Sequence, residues 1–295
     1  MIRRMSHSTL LIGGVLFILC AAVWSVVYAD SSQQGTGHLT FAMLDIGQGD
    51  GLFIEGPTGV QVMVDSGPGD GSALQQLPKV MPVGDRSLDA IIETHPDADH
   101  MGEFSDIIKH YDVGLFISPD IVKHDATTDA LDAAVAQAHI PRLVARRGMT
   151  LDLGGGAHLD ILYPDLDVTN FGNKTNEGSI VAHLVYGSTS VMLTADAPFS
   201  TEEHLLAIAS TTELQSDLLK VGHHGSKYST SAAFVAGVHP QLALISVGAH
   251  NKYGHPAPRV LDTLTQAGVP ILRTDQKGTI TCISDGAKFS CSSEK

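Results

Sequence analysis

Positive charge is scarce in this 295-residue sequence. Lysine and arginine together number 18, against 32 aspartates and glutamates, so the formal net charge is −14. A chain with this balance does not present the broad basic face by which proteins bind the phosphates of duplex DNA. The charge does not exclude a phosphodiester substrate, because bound metal ions would supply local positive charge.

Cysteine is scarce as well. Cys20 lies in an apolar N-terminal run, whereas Cys282 and Cys291 flank a turn signal, Asp285-Gly286. If a hairpin with a four-residue loop forms there, the two thiols face each other and would bond in an exported protein. The alternative is a pair of free thiols near the C-terminus.

One long hydrophobic run, at the N-terminus, precedes the rest of the chain. Arg3 and Arg4 come before an apolar stretch that ends in Val27-Tyr28-Ala29, which resembles a signal-peptidase cleavage site. The stretch is also long enough to span a bilayer, which takes about 20 residues. Residues 1–29 are therefore either a cleaved signal peptide or an uncleaved membrane anchor, and residues 30–37 a flexible linker. Both interpretations place the rest outside the cytoplasm, secreted or membrane-anchored.

Short apolar segments alternate with helical patterns over residues 38–295. We predict strands over residues 39–46, 51–55, 60–64, 90–94, 113–118, 179–185, 191–194 and 242–247. Helical patterns cover residues 102–111, 126–138, 201–208 and 257–267, and the C-terminus is predicted to form a hairpin. We find no internal repeat and no second linker in this segment. The mixture of strands and helices therefore indicates one α/β domain with sheets packed between helices.

The strongest chemical signal follows the predicted strand at residues 90–94. His95, Asp97, Asp99 and His100 supply four potential ligands within six residues. A tight turn at a strand end brings such side chains to one point, and imidazole with carboxylate suits zinc, manganese or iron. The sequence therefore predicts a metal site here.

The segment HPDADH at residues 95–100 resembles the HxHxDH signature of the metallo-β-lactamase superfamily, with aspartate as its third residue. This variant is similar to the metallo-β-lactamase-like domain of the ComEC competence family, which takes up DNA. Six further segments match the family's motifs, in the family's order along the chain. They are LDIGQGD at 44–50 and MVDSG at 63–67 before HPDADH, and NEGS at 176–179, LTAD at 193–196, VGHHGS at 221–226 and YGHP at 253–256 after it. The resemblance implies an α/β fold, a metallo-β-lactamase-like αββα sandwich preceded by one N-terminal hydrophobic helix.

The resemblance also implies two divalent metal ions, Zn²⁺ or Mn²⁺, held close together. Asp196 ends a strand and would be the carboxylate that bridges them. The implied metal ligands are His95, Asp97, Asp99, His100, Asp196, His223 and His255. Aspartate in place of a histidine makes the first site richer in oxygen, which shifts its preference toward manganese.

Two histidines in HHGS compete for one place in this scheme. His95 and Asp97 would bind the first metal, and we expect His223 to complete that site. Asp99 and His100 would bind the second metal, with His255 completing it. His224 is then a proton donor or lies behind the ligands, although exchanging His223 and His224 fits the motif almost as well. Asp99 and His224 are the expected catalytic residues.

Other polar residues of the motifs have open roles. Asp45, Asp50 and Asp65 are expected to hold loops beneath the site through hydrogen bonds to backbone N–H groups or to ligand histidines. Asn176 and Ser179 orient substrate or cap a turn. The expected substrate-binding residues are Asn176, Ser179, Ser226, Lys227 and Lys252, with Lys220 and Arg259 nearby as further cations for a phosphate.

These features together predict an extracytoplasmic dinuclear-metal hydrolase, a phosphodiesterase or nuclease acting on single-stranded DNA. The linear sequence shows no aromatic–basic stripe of the kind that binds single strands. The expected partners are DNA or another phosphodiester, and the membrane through an uncleaved N-terminal helix. A separate DNA-uptake channel is a further expected partner, because the family that this chain resembles joins the domain to a multi-helix channel.

Three alternatives stay open at this point. One is a phosphodiesterase for envelope or small-molecule groups such as phosphorylcholine, and another is a lactonase or β-lactamase-type hydrolase of esters or amides. The third is a catalytically silent binding module, which metal content without any turnover would indicate.

Overall fold

The computed structural model describes residues 35–295. The predicted leader, residues 1–29, and residues 30–34 of the predicted linker lie outside the described residues. Residues 36–295 form one compact unit. None of the helices within the described range has the length and apolarity needed to cross a membrane.

Strands and helices alternate along this unit. In chain order the strands are β1 (Leu39–Met43), β2 (Gly51–Glu55), β3 (Gln61–Ser66), β4 (Ser87–Leu88), β5 (Ala90–Ile92), β6 (Asp112–Val113), β7 (Phe116–Ser118), β8 (Arg142–Val144), β9 (Thr150–Gly154), β10 (Ala157–Tyr163), β11 (Val181–Tyr186), β12 (Thr189–Leu193), β13 (Leu218–Lys220), β14 (Leu242–Ile245), β15 (Ile271–Arg273), β16 (Ile280–Ser284) and β17 (Phe289–Ser293). The helices are α1 (Ser72–Val80), α2 (Ala98–Met101), α3 (Phe104–His110), α4 (Ala126–Gln137), α5 (Phe199–Ile208), α6 (Thr211–Leu214), α7 (Ala232–Val238), α8 (Pro258–Gln266) and α9 (Thr274–Lys277). Single 3₁₀ turns cover Thr169–Phe171, Thr175–Gly178 and Gly222–Gly225.

Two mixed sheets form the centre of the fold. The first has the strand order β17-β16-β1-β2-β3-β5-β7-β8, and the second has the order β15-β14-β13-β12-β11-β10-β9. The strands from β3 to β8 in the first sheet run parallel, as do those from β12 to β15 in the second. Parallel strands are connected by crossovers, and these carry most of the helices.

Buried apolar side chains form three clusters, one between the two sheets and one on the outer face of each sheet. Phe41 of the first sheet and Leu184 of the second belong to one cluster between the sheets. Leu77 of α1 and Phe104 of α3 pack in a cluster on the outer face of the first sheet. A third cluster, which includes Leu205 of α5, covers the outer face of the second sheet. The predicted αββα sandwich is therefore confirmed.

Several elements differ from the sequence prediction. The helix predicted over residues 102–111 is present as α3 (Phe104–His110), and a separate short helix, α2 (Ala98–Met101), precedes it. Gly102, between the two helices, lies against the backbone of Gly69, which leaves no room for a side chain. Helix α1 was not predicted, since it contains Pro78 and begins without a capping side chain. Strand β8 was not predicted either, because all of its side chains are exposed and give no alternation. Strand β10 was not predicted either, although its first residues alternate between buried and partly exposed side chains, a pattern that the sequence shows.

The C-terminal hairpin forms as predicted from its turn signal. Cys282 on β16 lies opposite Cys291 on β17, and residues 285–288 form the loop between the strands. The two cysteines are joined by a disulfide bond. Of the two alternatives for this pair, the structure has the bonded one.

Candidate metal centre

The motif residues converge where the parallel parts of the two sheets end. Strand β5 leads into the segment that carries His95 and His100, and β12 leads into Asp196. Strand β13 leads into the 3₁₀ turn Gly222–Gly225, which carries His223 and His224. Because the carboxyl ends of parallel strands meet at one edge, these side chains reach one cleft.

His95 and His100 are each oriented through Nδ1. The Nδ1 atom of His100 lies 2.8 Å from Oδ2 of Asp65, and that of His95 lies 3.0 Å from Oγ1 of Thr94. The Thr94 hydroxyl in turn donates to Asp65 at 2.7 Å, so its oxygen accepts a hydrogen bond from Nδ1–H of His95. With Nδ1 as donor in both rings, each Nε2 keeps its lone pair for a cation.

His224 is oriented in the same way. Its Nδ1 lies 3.1 Å from the carbonyl oxygen of Ser246 and 3.4 Å from Oδ1 of Asp50. The Nε2 atoms of His95, His100 and His224 are all buried and lack a hydrogen-bond partner among the described residues. Buried nitrogens without partners are rare in proteins, and three that line one cleft are typical of a metal centre.

Asp196 lies between the ring of His223 on one side and the rings of His100 and His224 on the other. Its Oδ1 is 3.2 Å from Nε2 of His100 and 3.6 Å from Nε2 of His224, whereas Oδ2 is 3.4 Å from Nε2 of His223. Nε2 of His224 is also 3.6 Å from Oδ2 of Asp99. Ligand atoms about 2.1 Å from a tetrahedral ion lie roughly 3.4 Å apart. The side chains therefore fit a cation on each side of Asp196.

The second position differs from the expected set in one histidine. The potential ligands Asp99, His100 and His224 come together there, whereas the His255 ring centre lies 6.5 Å from that of His224. The cause is the backbone, because His223 (φ +49°) and His224 (φ +53°) are both left-handed. The turn therefore directs two consecutive side chains into the cleft, which the motif alone did not reveal.

The first position was expected to contain His95, Asp97 and His223. In the structure His95 lies with His100 and Asp196, and Asp97 lies beside His95. Oδ2 of Asp97 lies 3.6 Å from Nε2 of His95. Its other oxygen accepts from Nζ of Lys123 at 2.8 Å and from Oγ1 of Thr175 at 3.0 Å. One oxygen of Asp97 is thus free to face a cation while the other is held. Sequence reasoning missed Lys123, which lies in a loop far from every motif.

Burial and charge set the protonation of the histidines. Burial lowers the pKa of His95 to about 3, so this imidazole is neutral at pH 7 and available as a ligand. Burial also opposes a proton on His100 and His224, but the Asp196 carboxylate raises the pKa of both, that of His224 to about 9. The buried carboxylates attract positive charge to this point, and a divalent cation would displace those protons.

The three loop aspartates have different roles. Asp65 accepts from the Thr94 backbone N–H at 2.8 Å and contacts His100, as expected. Asp50 is buried and pairs with Lys220. Asp45 lies away from the cleft, where it forms a partly exposed ion pair with Lys295 at 3.3 Å.

The expected phosphate-binding cations divide into two pairs. Lys220 is fully buried and Arg259 donates to the carbonyl oxygens of Lys227 and Thr230 at 3.1 and 3.2 Å, so neither reaches substrate. The correction follows from the burial of Lys220 and from the backbone hydrogen bonds of Arg259. Lys227 and Lys252 are exposed and stay candidates.

Three polar residues expected to bind substrate are placed within the protein. Asn176 lies 3.3 Å from Nδ1 of His223 and orients that ring. Ser226 is buried, and its Oγ accepts from the Tyr228 backbone N–H at 3.4 Å. Ser179 is buried too, and its Oγ lacks a hydrogen-bond partner among the described residues. Of these three residues, only Asn176 is partly exposed to solvent.

Gly49 fixes the position of Asp99. With φ at +138°, a β-carbon on Gly49 would overlap the carbonyl oxygen of Asp99. We expect Gly49→Ala to lower the free energy of unfolding by about 2–4 kcal/mol through strain and overlap, and to weaken metal binding at the second position. Urea unfolding and metal titration would measure both.

The matched control is Gly47→Ala, since Gly47 also has positive φ (+76°) but open space around its missing β-carbon. It should cost about 1 kcal/mol and leave metal affinity unchanged. Equal effects of the two substitutions would contradict the proposed contact.

The cleft is open on one side. The side chains of Asp99 and His223 are 36% and 26% exposed, whereas that of His224 is 1% exposed. Substrate therefore has access to the two candidate metal positions from the side of His223. His255 borders this opening, with its ring centre 5.7 Å from that of His223.

Two bacterial proteins are similar to this chain in sequence. ComE operon protein 3 of Bacillus subtilis is 30% identical over 295 residues, which cover 95% of this chain and 37% of that protein. Recombination protein 2 of Haemophilus influenzae is 30% identical over 241 residues, 80% of this chain and 28% of that protein. The chain thus spans about a third of the length of these relatives.

Among solved structures, Igni18, a metallo hydrolase of Ignicoccus hospitalis, superposes with a TM-score of 0.54 at 14% identity. The match covers 82% of this chain and 98% of Igni18, and it shows the fold. The resemblance inferred from the motifs is confirmed. Because the model of the metallo-beta-lactamase superfamily matches residues 44–250, the chain belongs to that superfamily.

Proposed function

We propose that this metallo-beta-lactamase superfamily hydrolase is a dinuclear phosphodiesterase that cleaves single-stranded DNA outside the cytoplasm. The observation that carries the proposal is Asp196, whose two oxygens face separate groups of histidine nitrogens. Pairs of metal ions held close together catalyse phosphodiester hydrolysis in nucleases and phosphatases. The name of one relative, Recombination protein 2, refers to recombination and favours DNA as the substrate.

The residues present fit two divalent ions. Asp196 would be shared, His95, Asp97 and His223 would hold the first ion, and Asp99, His100 and His224 would hold the second. Asp97 supplies oxygen where an all-histidine site has nitrogen, which shifts the preference of the first position toward Mn²⁺ relative to such a site and leaves Zn²⁺ as the other candidate. His224 moves into the ligand set, so it no longer serves as the proton donor.

Bound divalent ions supply a nucleophile at neutral pH by lowering the pKa of water, and they stabilise charge on the phosphoryl group. The chain's own residues prepare the site for this. Asp65 and Ser246 hold His100 and His224 with Nε2 toward the cleft. Burial lowers the pKa of His255 to about 4, so this ring is neutral at pH 7 and can form a hydrogen bond with water or substrate at the opening.

The disulfide supports a location outside the cytoplasm. Bonds such as Cys282–Cys291 persist in oxidising compartments and are rare in the reducing cytosol. We propose that the N-terminal segment either anchors the protein to the membrane or directs its secretion. A separate DNA-uptake channel is the proposed protein partner.

The test uses the full-length chain, depleted of metal and then supplied with Mn²⁺ or Zn²⁺. We expect metal to restore cleavage of single-stranded DNA, and to restore cleavage of duplex DNA less. Turnover of bis(p-nitrophenyl) phosphate without DNA cleavage would move the proposal to an envelope or small-molecule phosphodiesterase. A chain that binds both metals but turns over none of these substrates would contradict phosphodiester hydrolysis.

A further inference from the structure

Two tyrosines stand out from the surface next to the candidate metal centre. Tyr228 and Tyr253 are 60% and 58% exposed, which is unusual for such large rings. Each follows a lysine in sequence whose Nζ lies over the ring, at 5.0 Å for Lys227 and 5.4 Å for Lys252. An aromatic–basic surface, not evident in the linear sequence, is thus assembled from two Lys-Tyr dipeptides.

Tyr253 leads directly to the centre of the site. Its ring stacks on His255 with the ring centres 5.7 Å apart, and His255 lies 5.7 Å from His223. Nε2 of His223 is 3.4 Å from Asp196. Oδ1 of Asn251 accepts from the backbone N–H groups of Tyr253 and His255, at 3.2 and 3.0 Å, and holds the loop in place. The ring therefore borders the open side of the cleft on a fixed backbone.

Tyr228 is fixed to the same rim. The backbone N–H of Ala257 donates to the carbonyl oxygen of Gly225 at 2.8 Å, and Arg259 donates to that of Lys227 at 3.1 Å. These bonds join the segment before Tyr228 to the segment after His255. The two rings are consequently carried by two connected segments, while most of each ring faces solvent.

We propose that Tyr228 and Tyr253, with Lys227 and Lys252, form the surface on which unpaired bases of a DNA single strand stack beside the metal centre. The proposal rests on the proposed function. Aromatic rings stack on exposed bases of any sequence, whereas the bases of a duplex are already stacked on one another. The surface therefore selects single strands over duplexes.

The lysines favour a polyanion over other polymers that stack on tyrosine. An exposed contact between an ammonium group and a ring is weak, so each lysine can leave its ring for a phosphate when a base arrives. The chain as a whole carries a net charge of −14. Two lysines at the opening are a local exception to this charge, and they place phosphates there.

The experiment measures binding of a fluorescein-labelled oligothymidylate to the full-length, metal-loaded chain by fluorescence anisotropy. We expect Tyr228→Ala and Tyr253→Ala each to weaken binding by roughly fivefold to a hundredfold, and the double substitution to weaken it further. Tyr228→Phe and Tyr253→Phe keep the ring face and should bind within about twofold of the unsubstituted chain. Melting temperatures of all variants exclude misfolding, since neither ring lies in the core.

The outcomes separate this proposal from the proposed function. Oligothymidylate binding that depends on the tyrosines, without cleavage, supports the surface and contradicts the nuclease. If the double alanine substitution changed neither binding nor cleavage, the proposed stacking surface would be overturned and the proposed nuclease activity would stand. Tighter binding of a neutral polysaccharide than of oligothymidylate would also overturn it.

Discussion

Replacing Asp196 with asparagine will remove metal-dependent hydrolysis, lowering kcat/KM by at least about a thousandfold, or about 4 kcal/mol of transition-state stabilisation. The carboxylate oxygens lie 3.2 Å from Nε2 of His100 and 3.4 Å from Nε2 of His223. One substitution therefore takes a charged ligand from both metal positions, whereas the loss of a terminal ligand affects one. Metal content by mass spectrometry and turnover of a phosphodiester would be measured together.

The control for this experiment is Asp45→Asn. Asp45 belongs to the same set of motif aspartates but pairs with Lys295 away from the cleft. It should leave both metals and the activity unchanged. An Asp196→Asn protein that keeps two bound metals and full activity would show that Asp196 is not the shared ligand.

The sequence predicted those parts of the site that depend on neighbouring residues. His95, Asp97, Asp99 and His100 lie within one turn after β5, so their convergence follows from local chain geometry. Asp196 was predicted because it follows closely after a strand, in a motif that resembles one of the competence family. In each case a short segment contains the information needed.

The sequence could not assign residues whose roles depend on backbone conformation or distant contacts. His224 reaches the second position from a turn in which His223 and His224 are both left-handed, a conformation that the HHGS motif did not reveal. Lys123 reaches Asp97 from a loop 26 residues away. Tyr228 and Tyr253 share a rim only because Ala257 and Arg259 join their segments.

The fold shows the same division. Strands with a buried face, such as β2, agree with their predicted bounds. The edge strand β8 and the proline-containing helix α1 lack local signals, and their positions follow from the sheet and the core that they complete. Lys220 is the clearest error, since its apolar neighbours in β13 (Leu218 and Leu219) indicate a buried strand rather than a phosphate-binding loop.

Lys220→Met will lower the free energy of unfolding by roughly 3–5 kcal/mol, because it leaves a buried carboxylate without its cation. Lys220 and Asp50 are both buried and form an ion pair, and Nζ of Lys220 also donates to the carbonyl oxygen of Ala195 at 2.9 Å. Although burial raises the pKa of Asp50, the charges of Lys220 and His224 lower it to about 2. Urea unfolding of the metal-free chain would measure the loss.

Combining Lys220→Met with Asp50→Asn should recover much of this stability, because the second substitution removes the uncompensated charge. Lys227→Met, at an exposed lysine, should change stability by about 0.5 kcal/mol or less. Additive losses in the double variant would contradict the buried pair. If Lys220 instead bound substrate phosphate, Lys220→Met would raise KM and leave the unfolding free energy unchanged. The two roles of this lysine therefore give opposite results in the same pair of measurements.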